Sequence, residues 1–309
     1  MILLAYLVNP LLACALSPLM IGIIRKVKAY MQNRRGASVF QPYYDIMKLF
    51  KKDEVISEDA SWIFRVAPYI VFGTTIALAA GVPIINNAFV LTPMSDMLVV
   101  IYTLAAGTFF LALAGMDVGG GFGGFGASRE MTVAALAEGG LLIALVAAAF
   151  IAGTMNLSGM HAALSTSGSA HLLPLLLAAG AFFVALLAEN ARFPFDNPAT
   201  HLELTMIHEA MILEYSGKRL ALMEWAASNK LFLFSAIFAN IFTPWGMSSD
   251  VTVVAILSNL GLVLLKILCV AIIIGTIEST MAKFRFFRLP DLLFTSFIIS
   301  VIAVAIIAF

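Results

Sequence analysis

Residues 172–189 read LLPLLLAAGAFFVALLAE, a run of 18 positions with one charge, placed at the last. A helix that crosses a bilayer needs about 20 mostly apolar residues, so this run predicts a membrane span. The next stretch is its opposite. Residues 189–217, ENARFPFDNPATHLELTMIHEAMILEYSG, hold five carboxylates (Glu189, Asp196, Glu203, Glu209 and Glu214) and two histidines. Carboxylates at or near membrane depth are costly, and by default they are a hypothesis of proton or ion handling.

Working outward, comparable apolar runs lie near 2–24, 63–85, 97–116, 131–153, 231–246, 252–276 and 291–309, which makes eight with 172–189. The chain is 61% hydrophobic and 12% charged, with a mean hydropathy of +1.00. A soluble domain carries about 25% charged residues, so a soluble enzyme is excluded. The first run lacks a small-residue cleavage site and is long enough to span, so it is expected to be a retained helix. No internal repeat or linker appears. The expectation is an all-α polytopic membrane protein, one domain over 1–309 with eight transmembrane helices.

Charge placement predicts the orientation. The connections near 25–62, 116–130, 190–230 and 277–290 hold nearly all the Lys and Arg, whereas 86–96, 154–171 and 247–251 hold none. By the positive-inside rule the basic connections face the cytoplasm, and both termini lie across a prokaryotic inner membrane. Lys266, inside the seventh run, is the exception to the alternation.

Within 25–62, the stretch QPYYDIMKLFKKDEV sets Tyr43, Ile46, Met47, Leu49 and Phe50 largely apart from Asp45, Lys48, Lys51 and Lys52. This predicts an amphipathic helix along the interface. The basic stretch serves either lipid headgroups or a soluble partner docking on it. Residues 115–129, GMDVGGGFGGFGASR, satisfy G-x-G-x-x-G at Gly121, Gly123 and Gly126. A dinucleotide site needs a preceding strand, and here a membrane span precedes. The glycines are therefore expected to form a flexible or tightly turning loop, permitting positive φ and close helix approach. Cys14 and Cys269 both fall inside predicted spans and are too few for an iron–sulfur cluster, which takes about four protein ligands. Electrons, if any, travel in another subunit.

In the carboxylate segment, Pro194 and Pro198 break any helix leaving the fifth span. Asp196 or Asn197 is placed to cap a new one. If 199–214 is helical, Glu203 and Glu214 lie within about 20° of one another around the axis, and Glu209 points elsewhere. The interspersed Leu, Met and Ile predict burial, which raises a carboxylate's pKa unless cations offset it. The alternative is that Arg129, Arg192, Lys218, Arg219 or Lys230 simply pair with these groups and lock the loop. A metal set of His201, Glu203, His208 and Glu209 is disfavoured, because there is no H-E-x-x-H and the histidines lie about 10 Å apart along a helix. At membrane depth, Glu138 stands among small residues that admit close helices and water. Lys266 must find a carboxylate, a watery cavity or a neutral state, while Glu278 reads as a structural group snorkelling at a span's end.

ENARFPFD followed by ELTMIHEAMILEYSG resembles the core signature of NADH dehydrogenase subunit 1, the membrane subunit beside the quinone site of respiratory complex I. QNRRG at 32–36, FRVAPYI at 64–70 and GASRE at 126–130 resemble further motifs of that family. Ala37–Ser38 after QNRRG, GASRE and the compact length are more similar to its formate hydrogenlyase subunit 4 branch, which anchors group 4 membrane-bound nickel–iron hydrogenases. The resemblance implies eight spans and no cofactor in this chain. It implies iron–sulfur clusters and a NiFe centre in a soluble arm on the cytoplasmic face, with antiporter-like membrane neighbours. Glu138, Glu189, Asp196, Glu203, Glu209, Glu214 and Lys266 would couple protons or other ions to electron transfer. Arg129 and Arg192 would tune their charge, and Arg34, Arg35, Lys51 and Lys52 would dock the partner. Two other readings stay open. One is the quinone-site subunit of a complex I relative. The other is an independent secondary transporter, against which the lack of two related halves counts.

Overall fold

A computed structural model describes residues 6–166, 171–197, 206–246 and 252–308. Among these residues the chain is helical, with a single isolated antiparallel bridge between Asp96 and Asn156. The helices are α1 (Val8–Met31), α2 (Gln41–Phe50), α3 (Trp62–Gly81), α4 (Met97–Asp117), α5 (Gly121–Ala152) and α6 (Leu157–Thr166). They continue with α7 (Leu172–Glu189), α8 (His208–Ile212), α9 (Gly217–Ile241), α10 (Val253–Thr280) and α11 (Leu289–Ala308). Seven are long and apolar enough to cross a membrane: α1, α3, α4, α5, α7, α10 and the stretch Phe286–Ala308 that contains α11. The expected run at 231–246 is the second half of α9, which stands apart because Lys218, Arg219, Glu224 and Lys230 occupy its first half.

Local chemistry sets many of the boundaries. Side-chain oxygens of Ser61, Asp96 and Thr252 accept from the backbone N–H groups of Ile63, Leu98 and Ala255, satisfying donors that a helix start leaves free. Gly153, at φ +69°, closes α5 in the left-handed conformation that suits glycine. The glycine-rich stretch departs from expectation. Gly119 turns the chain at φ +71°, but residues 121–130 form the first turns of α5 rather than a loop. Their glycines serve close approach: a Cβ on Gly123 would lie 2.0 Å from the Gly115 carbonyl oxygen, and one on Gly126 would lie 2.7 Å from that of Ile207.

The long helices run between two ends of the molecule. One end gathers the C-termini of α1, α4, α7 and α10 with the N-termini of α3, α5, α9 and α11. There Asp117 accepts from Ser61 Oγ at 2.6 Å and from the N–H of Ser61 at 2.8 Å, while Tyr215 stacks on Phe64 with centroids 4.0 Å apart. At the far end, buried Asn9 donates to the carbonyls of Val82 and Phe89. Helix α9 is central, packed on α1, α3 and α10, while α5, α7 and α11 form a second group. Phe182 of α7, Phe234 and Phe238 of α9 and Phe242 at its C-terminal cap interlock as an aromatic block, with ring centroids 5.2–6.2 Å apart. Towards the first end, Ser17, Asn229 and Thr75 join in a buried polar contact across α1, α9 and α3. Leu257, Leu265, Leu268 and Ile273 on α10, and Phe294, Ile298 and Ile302 on α11, are exposed.

Helix α2 exists where the sequence places it, beginning with Pro42 in its first turn. Ile46 is buried, whereas Phe40, Tyr44 and Met47 are exposed beside the Arg25–Asp45 ion pair. The apolar side is therefore divided between protein and surroundings.

Candidate functional site

The carboxylate segment closes one end of the molecule. Helix α7 ends at Glu189, and Ala191 takes a positive φ of 48° as the chain turns. A cis Phe193–Pro194 bond comes next, and Asp196 is directed back beneath α8. Glu189, Asp196 and Glu278 are each at most 6% exposed. Each meets a cation from a distant part of the chain. Lys230 Nζ lies 2.9 Å from Glu189 Oε2, and Lys283 Nζ lies 2.5 Å from Asp196 Oδ1. Glu278 is bridged by Lys28 at 2.8 Å and Arg192 at 3.2 Å. Removing the cation and stranding one of these buried carboxylates costs about 3–5 kcal/mol, so these contacts fix the end of the bundle as well as charging it.

Around the pairs opens a cavity of about 910 Å³, walled by α1, α8, α9 and the turn after α7, with Arg25, Lys28, Glu189, Arg192, Glu209 and Glu224 on its surface. Its volume lies at the upper end of ligand pockets, which run about 300–1,000 Å³. Both signs of charge line it. Glu209 has its pKa raised to about 7, by burial first and then by the carboxylates of Glu224 and Asp196. This group is poised to exchange protons near neutrality.

Asp196 also organises the backbone. Its Oδ2 accepts from the N–H groups of Ile207 and His208, both at 3.2 Å, and its Oδ1 from Asn197 N–H at 2.8 Å. It thereby caps α8 from ten or more residues away, where the sequence suggested a cap for a longer helix. Of the expected helix over 199–214, only His208–Ile212 is helical among the described residues, and Met206, Ile207, Leu213 and Glu214 lie outside it. Glu203 and His201 lie outside the described residues. Glu214 is exposed beyond α8 and faces a separate small hollow beside Phe64 and Gly120.

The other expected residues divide. Glu138 is half-buried on α5, within the electrostatic reach of Glu189 and Lys230. Arg129 donates to the Met206 carbonyl at 3.3 Å and lies over the rings of Phe125 and Phe286, holding the segment against α5. Arg192, expected to tune the loop carboxylates, forms its ion pair with Glu278. Lys266 is apart from the cavity and donates to the Thr243 carbonyl at 2.5 Å. Arg34 reaches the cavity and bonds Gln32, while Arg35, Lys51 and Lys52 are exposed. Cys14 is half-buried and Cys269 exposed, on different helices.

Glu278 is the main correction. It is not a snorkelling group at a span's end but a buried acceptor for two cations. Lys28 and Lys283 were visible in the sequence only as basic residues of connections, whereas Lys230 stood among the cations expected to pair with the segment's carboxylates, as it does with Glu189. For Lys28 and Lys283 the alternation with the spans pointed to an end of the bundle, but nothing local named their partners.

The NADH dehydrogenase family pattern matches residues 2–309. Formate hydrogenlyase subunit 4 of Escherichia coli is 32% identical over 291 residues, covering 94% of this chain and 94% of that protein. Hydrogenase-4 component C of the same organism is 32% identical over 288 residues, covering 93% and 90%. An NADH-quinone oxidoreductase subunit of Paraburkholderia phymatum is 28% identical over 302 residues, covering 92% and 84%. Among solved structures, a chain of the membrane-bound sulfane sulfur reductase, an archaeal respiratory membrane complex, superposes with a TM-score of 0.88 at 26% identity, over 99% of each chain.

Proposed function

The chain belongs to the NADH dehydrogenase subunit 1 family, and from that premise we propose that it is the membrane-anchoring, ion-coupling subunit of a redox complex of the formate hydrogenlyase or group 4 hydrogenase type. It is an integral membrane protein with no catalytic centre of its own. Electron transfer takes place in a soluble arm whose subunits carry iron–sulfur clusters and a NiFe centre. That arm docks on the basic face formed by Arg34, Arg35, Lys51 and Lys52, while antiporter-like subunits lie against the exposed sides of the bundle. Helix α9 supplies the sixth of eight spans, its charged half sheltered by α1 and α3, and α2 lies along the interface. The basic connections face the cytoplasm of a prokaryotic inner membrane, with both termini across it.

One observation carries this reading: the charged cavity at the basic end adjoins Glu138 through the Glu189–Lys230 pair. A change of charge in the docked arm alters the proton affinity of Glu209 and its neighbours. The adjustment passes by Glu189 and Lys230 to Glu138, and from there towards the membrane neighbours. Glu203, Glu214 and Lys266 were expected to share this work. Of these, Glu203 lies outside the described residues, Lys266 stands apart at a backbone carbonyl and Glu214 on a separate surface, so among the described residues the central role falls to Glu138, Glu189, Asp196 and Glu209.

The test is Glu138→Gln in the assembled complex, reconstituted into vesicles with electron transfer and proton or sodium movement followed together. Electron transfer should persist while ion movement per electron collapses. Unchanged coupling would end the proposal. A second reading, the quinone-site subunit of a complex I relative, draws on the size of the cavity. Quinone co-purifying with the complex, without nickel in the partner subunits, would favour it.

A further inference from the structure

Beside the wide cavity lies a second pocket of about 40 Å³, enclosed by α3, α4, α5 and α9. The two share a wall. His208, Ile212, Met223, Ala227 and Lys230 line both, but Glu130 and Thr108 line the small pocket alone. Glu130 is 5% exposed, near the start of α5. The charges that face it are Lys230 of α9, Glu189 of α7 and Asp196 of the turn after α7. Lys230 is already engaged, at 2.9 Å from Glu189 and 3.4 Å from Thr108 Oγ1. A buried carboxylate in a bundle that pairs its other buried carboxylates closely calls for a use.

His208 stands on the shared wall. Its backbone N–H is held by Asp196, which fixes the residue in place. The groups whose charge reaches its ring are Lys230, Asp196 and Arg192. Burial, and then the Lys230 charge, push its pKa down to about 4. At neutral pH the ring is therefore uncharged, with one N–H donor and one acceptor nitrogen. A neutral imidazole on the wall between two cavities can take a proton on one nitrogen and release one from the other.

We propose that His208 and Glu130 form a proton relay joining the wide cavity to the Glu189–Lys230 pair, and through that pair to Glu138. This rests on the coupling role proposed above and names the groups that carry it. A proton from the cavity bonds to the acceptor nitrogen of His208. The N–H on its other nitrogen breaks, and an O–H forms on Glu130. No charge stays on the ring, and a half-turn of the ring brings its remaining N–H back to the Glu130 side and its bare nitrogen back to the cavity. Glu130 then passes the proton to Glu189, whose Oε1 is buried without a partner among the described residues. Glu130 and Glu138 are eight residues apart on one helix, about 12 Å along its axis. That is too far for direct transfer, which is why the Glu189 oxygen is needed between them.

The experiment compares Glu130→Gln, His208→Phe and Glu138→Gln in the assembled complex in vesicles. Proton uptake is read with an indicator dye, alongside electron transfer. The expected result is that all three keep electron transfer while proton uptake slows by about a hundredfold, the low end of what a positioned acid or base contributes. Glu130→Asp, which keeps the carboxylate, should restore most of it. If Glu138→Gln uncouples and the other two transport like the parent, the relay is wrong and the coupling role stands. If Glu138→Gln transports normally, the coupling role itself falls and takes the relay with it. Should Glu130→Gln fail to assemble, the pH profile of Glu130→Asp decides: a displaced acid limb supports the relay, and a profile identical to the parent overturns it.

Discussion

Replacing Asp196 with alanine should loosen the start of α8 while leaving the spans intact. The carboxylate accepts four contacts: Lys283 Nζ at 2.5 Å, Asn197 N–H at 2.8 Å, and Ile207 and His208 N–H at 3.2 Å each. The Lys283 side chain is 23% exposed, so its ammonium regains water and its loss costs about 0–1 kcal/mol. The two N–H groups on Oδ2 matter more. A hydrogen bond to a charged group contributes about 1.5–3 kcal/mol, and the 3.2 Å separations place both at the lower end. Together they give about 3 kcal/mol, or roughly a hundredfold in a local opening equilibrium. Hydrogen exchange, followed on peptides covering 206–212, should accelerate by that factor at the amides of Ile207 and His208. Asp196→Asn should fall in between, because its amide oxygen still accepts. Asp45→Ala, which breaks a pair whose side chains are 53% and 43% exposed, should leave the same peptides unchanged. Acceleration below about threefold at Ile207 and His208, or equal acceleration across all peptides, would refute the assignment of Asp196 as the cap of α8.

Lys230→Met strands the Glu189 carboxylate, whose side chain is 3% exposed. It should cost about 3–5 kcal/mol in thermal or denaturant unfolding, and Lys230→Met with Glu189→Gln should recover most of the loss. Gly217→Ala forces a φ of +54° on an L-residue and sets its Cβ 2.8 Å from the Asp53 carbonyl oxygen, so it should destabilise by more than about 1 kcal/mol. By contrast, Gly73→Ala on α3, where a Cβ meets nothing within 4 Å, should stabilise by about 0.5–1 kcal/mol. The Glu209 pKa is raised from 4.5 to about 7. Its contribution is therefore fully present below pH 4.5 and lost as pH rises through 7, by at most about 3 kcal/mol before solvent access reduces it. Stability measured from pH 4.5 to 8 should decline less in Glu209→Gln than in the parent. His208 runs the other way, since its pKa is lowered to about 4. Its contribution is present above pH 6.5 and lost as pH falls through 4, a loss that His208→Gln should remove.

The spans were legible because a bilayer imposes a length and an apolar composition that no tertiary contact needs to supply. The charged segment was legible for the converse reason, as five carboxylates stand out in so apolar a chain. Its pairing was legible only in part, as Lys230 with Glu189. Lys28 and Glu278 are 250 positions apart, and only the packing of α10 on α1 brings them together. Glu278 looked cheap to expose because it lies near a helix end, but that end is covered by the chain turning after α7. The glycine-rich stretch misled for a similar reason. Glycine is a poor helix former in isolation, yet Gly123 and Gly126 are needed where α5 meets Gly115 and Ile207, so tertiary contact outweighs local preference. Asp196 was expected as a cap, but for a neighbouring helix rather than one reached across the turn.

The aromatic block of Phe182, Phe234, Phe238 and Phe242 has an electrical consequence. It fills the interior between the charged cavity and the far end of α9 with rings that hold neither water nor charge. A membrane voltage falls across the poorly polarisable part of its path. In the membrane placement proposed above, that part is the block and the apolar helix halves beyond it, while the cavity shares the potential of the basic side. A full crossing is worth about 2.3 kcal/mol per charge at 100 mV, but a proton moving among Glu209, Asp196 and Glu189 traverses little of that drop. So placed, the cavity would answer to charge set beside it and stay nearly indifferent to how strongly the membrane is energised.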